Sequence, residues 1–149
     1  MIIVYSCITG SYDDLIPQPA YEGVKYICFS DSIKKSKYKG WEIMPIPHLN
    51  TNQPNLINRC LKAMPFDLDF NSNISIYIDG NVLLKSNPIK IVEKFQDSTA
   101  SIAAFKHPHR ENAKQELAEL IRTRKLSQFE IKEAKELLIK MEKEGYNFK

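Results

Sequence analysis

The feature that most constrains the fold is a series of short, almost continuously apolar runs, each ending in a small polar cluster. Residues 2–8, which read Ile-Ile-Val-Tyr-Ser-Cys-Ile, are the clearest case, and Thr9-Gly10-Ser11 follows them. Four more such runs lie at residues 24–29, 41–46, 74–78 and 100–105. An apolar run of this length without alternation predicts a strand that is covered on both faces, as in a parallel sheet.

Between and after these runs, apolar residues recur at helical spacing. The predicted helical segments are residues 52–64, residues 88–95, and two segments after residue 111 that are separated at residues 126–128. Pro54 suits the start of the first helix, and Ser127 with Glu130 predicts a capping box at the start of the last. Strands alternating with helices predict one α/β domain over residues 1–149, three-layered with a mostly parallel sheet. The lysine-rich residues 34–39 are predicted to form a solvated loop.

Composition excludes several classes of protein. The net charge of +3 on 149 residues is mild, so it favours an anionic ligand without the concentrated basic face of a nucleic-acid binder. Cys7, Cys28 and Cys60 are odd in number and widely spaced, which predicts buried free thiols in a reducing compartment. No targeting segment or membrane-spanning run is visible, so the expected location is cytoplasmic.

Polar side chains follow the predicted strands at the points where the strands end. Thr9 to Asp13 follow the first strand, Ser30-Asp31 the second, and Asp79-Gly80-Asn81 the run at residues 74–78. In an open α/β sheet, ligands bind outside the carboxyl ends of the strands. Together these clusters predict a pocket at one edge of the sheet.

The segment Asp79-Gly80-Asn81 has two chemical interpretations. Its two side-chain oxygens suit a hard divalent cation such as Mg²⁺ or Mn²⁺, which would keep positions open for phosphate oxygens, and Gly80 would let a ligand approach closely. The same three residues are also typical of a tight β-turn. The two interpretations are compatible.

Other candidate ligand-binding residues also have two interpretations each. Arg59 and Lys62 lie three apart on a predicted helix, which suits a pyrophosphate but equally an ordinary solvated face. Asp31 is placed to accept a hydrogen bond from a base or a ribose, or to form a turn. Tyr12 is suited to stack on a base, or to pack within its turn.

The segment Lys106-His107-Pro108-His109-Arg110 follows the last predicted strand. His107 is a candidate to bind a metal or a phosphate oxygen. Arg110 is a candidate to bind a phosphate or a carboxylate. The alternative is that His109 and Arg110 are simply exposed at the start of a helix.

Several of these segments, in this order and spacing, resemble one known family over nearly the entire chain. The segments are residues 4–15 (VYSCITGSYDDL), 26–31 (YICFSD), 41–43 (WEI), 58–65 (NRCLKAMP), 75–81 (SIYIDGN) and 106–110 (KHPHR). The family is a glycosyltransferase-like domain that was formerly a domain of unknown function. It occurs in bacteria and in plant Golgi proteins. It is similar to glycogenin-type and bacterial galactosyltransferase-type enzymes.

The resemblance implies a GT-A fold, a nucleotide-sugar donor that is most often UDP-linked, and a divalent cation, commonly Mn²⁺. It implies that Asp79 and Asn81 take the place of the Asp-x-Asp element that holds the metal. By the same resemblance, Thr9 and Tyr12 line the nucleotide pocket and Asp31 meets the base or ribose. Arg59 and Lys62 then face the phosphates.

Two departures from the family pattern leave alternatives open. Asn81 stands in place of a second acid, and the closing C-terminal region that carries a late metal ligand and much of the acceptor site is expected to be absent. The expected function is hexosyl transfer from a UDP-sugar to a hydroxyl of a glycan or another acceptor. The alternatives are a non-catalytic domain that binds a nucleotide or a protein partner, and a nucleotidyltransferase-like enzyme.

Overall fold

The structure is a computed structural model that describes residues 1–63, 68, 70, 72–95 and 97–146. Its strands are β1 (Ile2–Ile8), β2 (Val24–Ser30), β3 (Lys37–Tyr38), β4 (Trp41–Met44) and β5 (Ser75–Tyr77). Its helices are α1 (Pro54–Ala63), α2 (Pro88–Glu93), α3 (Ala113–Arg122) and α4 (Gln128–Lys143). The chain divides into two compact units, Met1–Ser98 and Thr99–Lys149.

The first unit contains a five-stranded sheet in the order β3-β4-β2-β1-β5. Strand β1 pairs in parallel with β2 on one side and with β5 on the other, and β2 pairs in parallel with β4. Only the two-residue strand β3 is antiparallel to its neighbour among the described strands. The fold is therefore α/β with a mostly parallel sheet, as predicted.

Every residue of β1 is buried, as the uninterrupted apolar run predicts. Ile3, Tyr5 and Cys7 face one core cluster, which includes Ile57 and Leu61 of helix α1. Alternate side chains of a strand point to opposite faces of the sheet, so β1 contributes to the cores on both faces.

The opposite face of β1 packs against a loop and a neighbouring strand. Val4 and Ile8 share a second core cluster with Leu15, Cys28 and Trp41. The indole N–H of Trp41 is buried with the ring and donates to the carbonyl oxygen of Ile16 at 2.8 Å. That hydrogen bond satisfies the one polar atom of the side chain and fixes the loop after β1 against β4.

Cys7 and Cys28 are buried free thiols, as predicted, and Cys60 is half-buried. Burial raises the pKa of both Cys7 and Cys28 to about 12. The two thiols are therefore protonated near neutral pH and act as small apolar groups of the core.

Helix α1 begins at Pro54, where the missing backbone N–H of proline costs no helical hydrogen bond. The predicted segment continued to Met64, a residue that lies outside the described ones. The hydroxyl of Tyr5 donates to the carbonyl oxygen of Leu61 at 3.1 Å. Because that carbonyl lies in the last turn of α1, this bond caps the helix and ties it to β1.

The second unit contains the helix pair α3 and α4, with Leu117 buried. Asn112 caps the start of α3, and Ser127 caps α4 in the predicted capping box with Glu130. An ion pair between Lys114 and Glu142 links the two helices.

Three predictions about secondary structure differ from the structure. Residues 100–105, all of them described, form no strand, and Ile102 and Phe105 are 68% and 84% exposed. Three of its six residues are alanine, which has a low strand propensity, and its side chains are exposed rather than packed in a core. The predicted solvated loop at residues 34–39 contains the edge strand β3, since β4 supplies backbone partners there. Strand β4 also ends at Met44 rather than at residue 46, because Pro45 cannot donate to a ladder.

Candidate functional site

The carboxyl ends of β1, β2 and β5 lie at the same edge of the sheet, because these three neighbouring strands run in parallel. Polar residues follow each strand there: Thr9 after β1, Asp31 after β2, and Asp79 shortly after β5. We refer to these residues and their loops as the carboxyl edge. In open α/β sheets, this is the edge where ligands bind.

The loop after β1 is fixed to both of its neighbours. The backbone N–H of Gly10 donates to the two carboxylate oxygens of Asp31 at 2.9 and 3.2 Å. The Thr9 hydroxyl donates to the carbonyl oxygen of Pro54 at 3.1 Å, which joins the loop to the start of α1. Gly10 and Ser11 have φ values of 62° and 56°, a left-handed turn that glycine adopts without strain. The Tyr12 ring at the end of this turn is 87% exposed.

Asp31 therefore has a structural role that its sequence position did not reveal. Its carboxylate is exposed, but both oxygens accept from Gly10 and thereby connect the ends of β1 and β2. A carboxylate oxygen has more than one lone pair, so this bond leaves acceptor capacity for a ligand.

The segment Asp79-Gly80-Asn81 is a turn whose polar side chains remain exposed. The N–H of Val82 donates to the carbonyl oxygen of Asp79 at 2.9 Å, which is the hydrogen bond of a β-turn. The N–H of Ile16 donates to the carbonyl oxygen of Gly80, also at 2.9 Å. The turn interpretation holds, and it leaves the Asp79 carboxylate and the Asn81 amide available.

Gly80 is buried, and packing gives a reason for a glycine at this position. A Cβ atom at this position would lie 2.9 Å from Cδ1 and 3.1 Å from Cγ1 of Ile8. Because such a contact is closer than carbon atoms tolerate, a side chain at position 80 would displace the turn or Ile8.

Lys62 of α1 reaches the turn that carries Asp79. Its ammonium nitrogen lies 3.4 Å from Oδ1 of Asp79 and 4.9 Å from the centroid of the Tyr77 ring. The side chains of Lys62 and Asp79 are 54% and 51% exposed. This is a half-exposed ion pair with a cation–π contact beneath it.

Asn58 sets the position of α1 above the sheet. Its amide nitrogen donates to the carbonyl oxygen of Cys7 at 2.9 Å, and its amide oxygen accepts from the Tyr77 hydroxyl at 3.1 Å. Burial, and then the nearby charge of Asp79, raise the pKa of Tyr77 above its usual value, so the hydroxyl stays protonated and remains a donor. Lys62 lies one helical turn beyond Asn58 on the same face of α1.

The other basic residue of α1 behaves differently. Arg59 is exposed, and within the described ranges its guanidinium forms no ion pair. Its charge is therefore available to a ligand but is not oriented by a protein partner.

The divalent-cation hypothesis depends on few protein ligands. Across the residues that the structure describes, no group of three or more His, Cys, Asp or Glu side chains lies together. Asp79 and Asn81 supply two exposed oxygen donors. Such a pair fits a cation that also binds substrate phosphates, as Mg²⁺ sites commonly do, and does not fit an all-protein cage.

His107 and Arg110 belong to the second unit. Nδ1 of His107 accepts from the backbone N–H of His109 at 3.1 Å, which leaves Nε2 as the nitrogen for a ligand. Arg110 forms an ion pair with Glu116 of α3. Its guanidinium is thus paired with a carboxylate of the protein itself.

One residue that sequence reasoning missed is Gln18, which holds the segment following Asn81. Its amide nitrogen donates to the carbonyl oxygen of Val82 at 2.8 Å, and its amide oxygen accepts from the N–H of Leu84 at 2.9 Å. These partners are backbone groups 64 and 66 residues away, so no local pattern in the sequence marks Gln18.

The mostly parallel α/β sheet is compatible with a Rossmann-like domain, a class in which ligands bind at the carboxyl edge of the sheet. Residues 29–147 match the family described as TOD1/MUCI70, glycosyltransferase-like domain. Since the match spans most of the 149 residues, the chain belongs to this family. The matched region contains Asp31, Lys62 and Asp79, whereas β1 and the turn at Tyr12 precede it.

No curated protein and no solved structure matched the chain. None of the helices in the described ranges is both long enough and apolar enough to span a membrane.

Proposed function

We propose that this chain is a glycosyltransferase that binds a UDP-sugar at the carboxyl edge and transfers a hexosyl group to an acceptor hydroxyl. The observation that carries this proposal is the contact of Lys62 with Asp79 at that edge, in a member of a glycosyltransferase-like family. This contact brings an ammonium and an exposed carboxylate together where a diphosphate and its cation would bind.

The diphosphate is the leaving group in this reaction, so charge stabilisation there is the main catalytic requirement. Lys62 and Arg59 would contact phosphate oxygens with cationic N–H groups. Asp79 and Asn81 would hold Mn²⁺ or Mg²⁺ through one carboxylate and one amide oxygen. A bound divalent cation would supply Lewis-acid stabilisation of the departing diphosphate.

The nucleoside would bind beside the loop after β1. The Tyr12 ring is exposed and free to stack on uracil, and the Asp31 carboxylate keeps acceptor capacity for a base N–H or a ribose hydroxyl. Thr9 would form the wall of this pocket, since its hydroxyl already bonds to the start of α1. The ligand roles of His107 and Arg110, which lie in the second unit, stay predictions from the sequence.

The first test is calorimetric titration of UDP into the purified chain, with Mn²⁺ and again with EDTA. We expect binding that depends on Mn²⁺ and that the substitution Asp79→Ala abolishes. A matched control is Asp14→Ala, which removes another exposed carboxylate that is paired with a lysine, Lys39. Equal UDP binding by wild type and Asp79→Ala would remove Asp79 from the site, and equal binding of UTP would favour the nucleotidyltransferase alternative.

A non-catalytic, nucleotide-binding role is the second candidate, and the amide at Asn81 favours it. An amide oxygen lacks the charge of a carboxylate, which lowers the attraction for a divalent cation. The substitution Asn81→Asp tests this idea, because it restores the second acid. Tighter Mn²⁺ binding together with UDP-sugar turnover in Asn81→Asp, but no turnover in wild type, would establish the non-catalytic role.

A further inference from the structure

The Lys62 ammonium lies next to the carboxylate that the proposed cation would bind. Its nitrogen is 3.4 Å from Oδ1 of Asp79, beyond the 2.7–2.9 Å typical of a charge-assisted hydrogen bond. Both side chains are about half exposed, and ion pairs of that kind contribute at most about 1 kcal/mol. The pair is close enough to neutralise the carboxylate and weak enough to be exchanged.

The position of this ammonium is set by the fold. The contacts that anchor α1 include the bonds of Asn58 to Cys7 and Tyr77, and the bond from Tyr5 to Leu61. The Tyr77 ring lies under the ammonium at 4.9 Å and offers it a second favourable contact that does not involve Asp79. Lys62 therefore has a place to remain when Asp79 is engaged elsewhere.

We propose that Lys62 and a divalent cation compete for the Asp79 carboxylate. Without the divalent cation, the ammonium is the counter-ion of Asp79. When the cation binds, Lys62 moves off the carboxylate, stays over the Tyr77 ring, and turns its N–H groups to the incoming phosphates. This inference rests on the proposed function, because it assumes that Asp79 is the metal ligand of the site.

The competition makes Lys62 act in opposite directions on two ligands. It lowers affinity for the metal, since two cations near one carboxylate repel each other. It raises affinity for the diphosphate, since its ammonium faces the phosphate oxygens. A surface lysine without this role would change the binding of either ligand only through the net charge of the protein.

The test is titration of Mn²⁺ without nucleotide at low ionic strength, with the free aqueous ion followed by electron paramagnetic resonance. We expect Lys62→Met to tighten Mn²⁺ binding by about twofold to fivefold, from loss of one charge next to the carboxylate. Lys62→Gln should act in the same direction. The control is Lys25→Met, which removes the same charge from another half-exposed pair, with Glu42, and should leave Mn²⁺ binding unchanged.

Unchanged or weaker Mn²⁺ binding in both Lys62 variants would overturn the competition, as would an equal gain in Lys25→Met. Persistence of the gain in a Lys62→Met, Asp79→Asn double variant would also overturn it. UDP titration separates this result from the proposed function. If Lys62→Met binds Mn²⁺ more tightly while no variant binds UDP, the competition stands and the nucleotide site fails.

Discussion

Asp31 and Asp79 lie at the carboxyl ends of the two strands that flank β1, yet the fold uses their carboxylates differently. The Asp31 carboxylate accepts the backbone N–H of Gly10, and this bond fixes the loop after β1. Among the described residues, the Asp79 carboxylate pairs with the ammonium of Lys62 and interacts with the Tyr77 hydroxyl, and its turn is fixed instead through Gly80. Because a backbone hydrogen bond and the packing of Gly80 hold this turn, the Asp79 carboxylate is not needed to hold it and stays exposed to a ligand.

The largest expected effect comes from removing the anchor of the Asp79 turn. The substitution Gly80→Ala puts a Cβ atom 2.9 Å from Ile8, and overpacking of this kind costs about 1–3 kcal/mol. We expect a drop of that size in the free energy of unfolding, measured by urea denaturation. The double variant Gly80→Ala, Ile8→Val removes the Cδ1 atom and should regain part of the loss. No destabilisation by Gly80→Ala would mean that the turn is not anchored by packing.

The next effect compares the two acids directly. Asp31→Ala leaves the Gly10 N–H without its partner and should lower the free energy of unfolding by about 1 kcal/mol. Asp79→Ala should change it by less than about 0.5 kcal/mol, since it breaks only a half-exposed ion pair. The same urea denaturation measures both. A greater loss of stability in Asp79→Ala than in Asp31→Ala would reverse the comparison.

Gln18 extends the comparison to the segment after Asn81. Gln18→Glu keeps an acceptor for the Leu84 N–H but loses the donor to Val82, so we expect a loss of about 0.5–1 kcal/mol. Gln18→Leu, which loses both bonds, should cost more in urea denaturation. If Gln18→Glu and wild type unfold alike, the 2.8 Å bond to Val82 does not help to hold the segment.

The sequence predicted the parts of this fold that depend on local pattern. The apolar run at residues 2–8 forms the fully buried β1, and Ser127 with Glu130 forms the predicted capping box. Both depend on contacts that any chain with that pattern makes: coverage of an apolar strand, and hydrogen bonds within one helical turn. The run at residues 100–105 shows the limit, because an apolar pattern forms a strand only where a neighbouring strand and a core are present.

The sequence could not distinguish Asp31 from Asp79, since both are acids that follow an apolar strand. The bond from Gly10 to Asp31 joins residues 21 apart, and the contact of Lys62 with Asp79 joins residues 17 apart. Each depends on strand order and on how α1 docks, neither of which a linear pattern specifies. The GT-A assignment, the UDP-sugar and the metal stay predictions of the resemblance.

Substitutions at Tyr77 have the smallest expected effect. They separate the role of the hydroxyl, which helps to anchor α1, from the role of the ring, which contacts the Lys62 ammonium. Tyr77→Phe removes the hydroxyl that donates to Asn58 but keeps the ring under Lys62. We expect a loss of about 0.5 kcal/mol in the free energy of unfolding, because the partly buried Asn58 keeps its bond to Cys7. Mn²⁺ affinity should stay within about twofold of wild type, since the cation–π contact survives.

Tyr77→Leu is the matched variant for this prediction, because it removes the ring as well. Without the ring, the Lys62 ammonium loses its second contact and should bind Asp79 more persistently, which weakens Mn²⁺ binding relative to Tyr77→Phe. Electron paramagnetic resonance of free Mn²⁺ measures the difference. Equal Mn²⁺ affinity in the two variants would show that the ring does not hold the displaced ammonium.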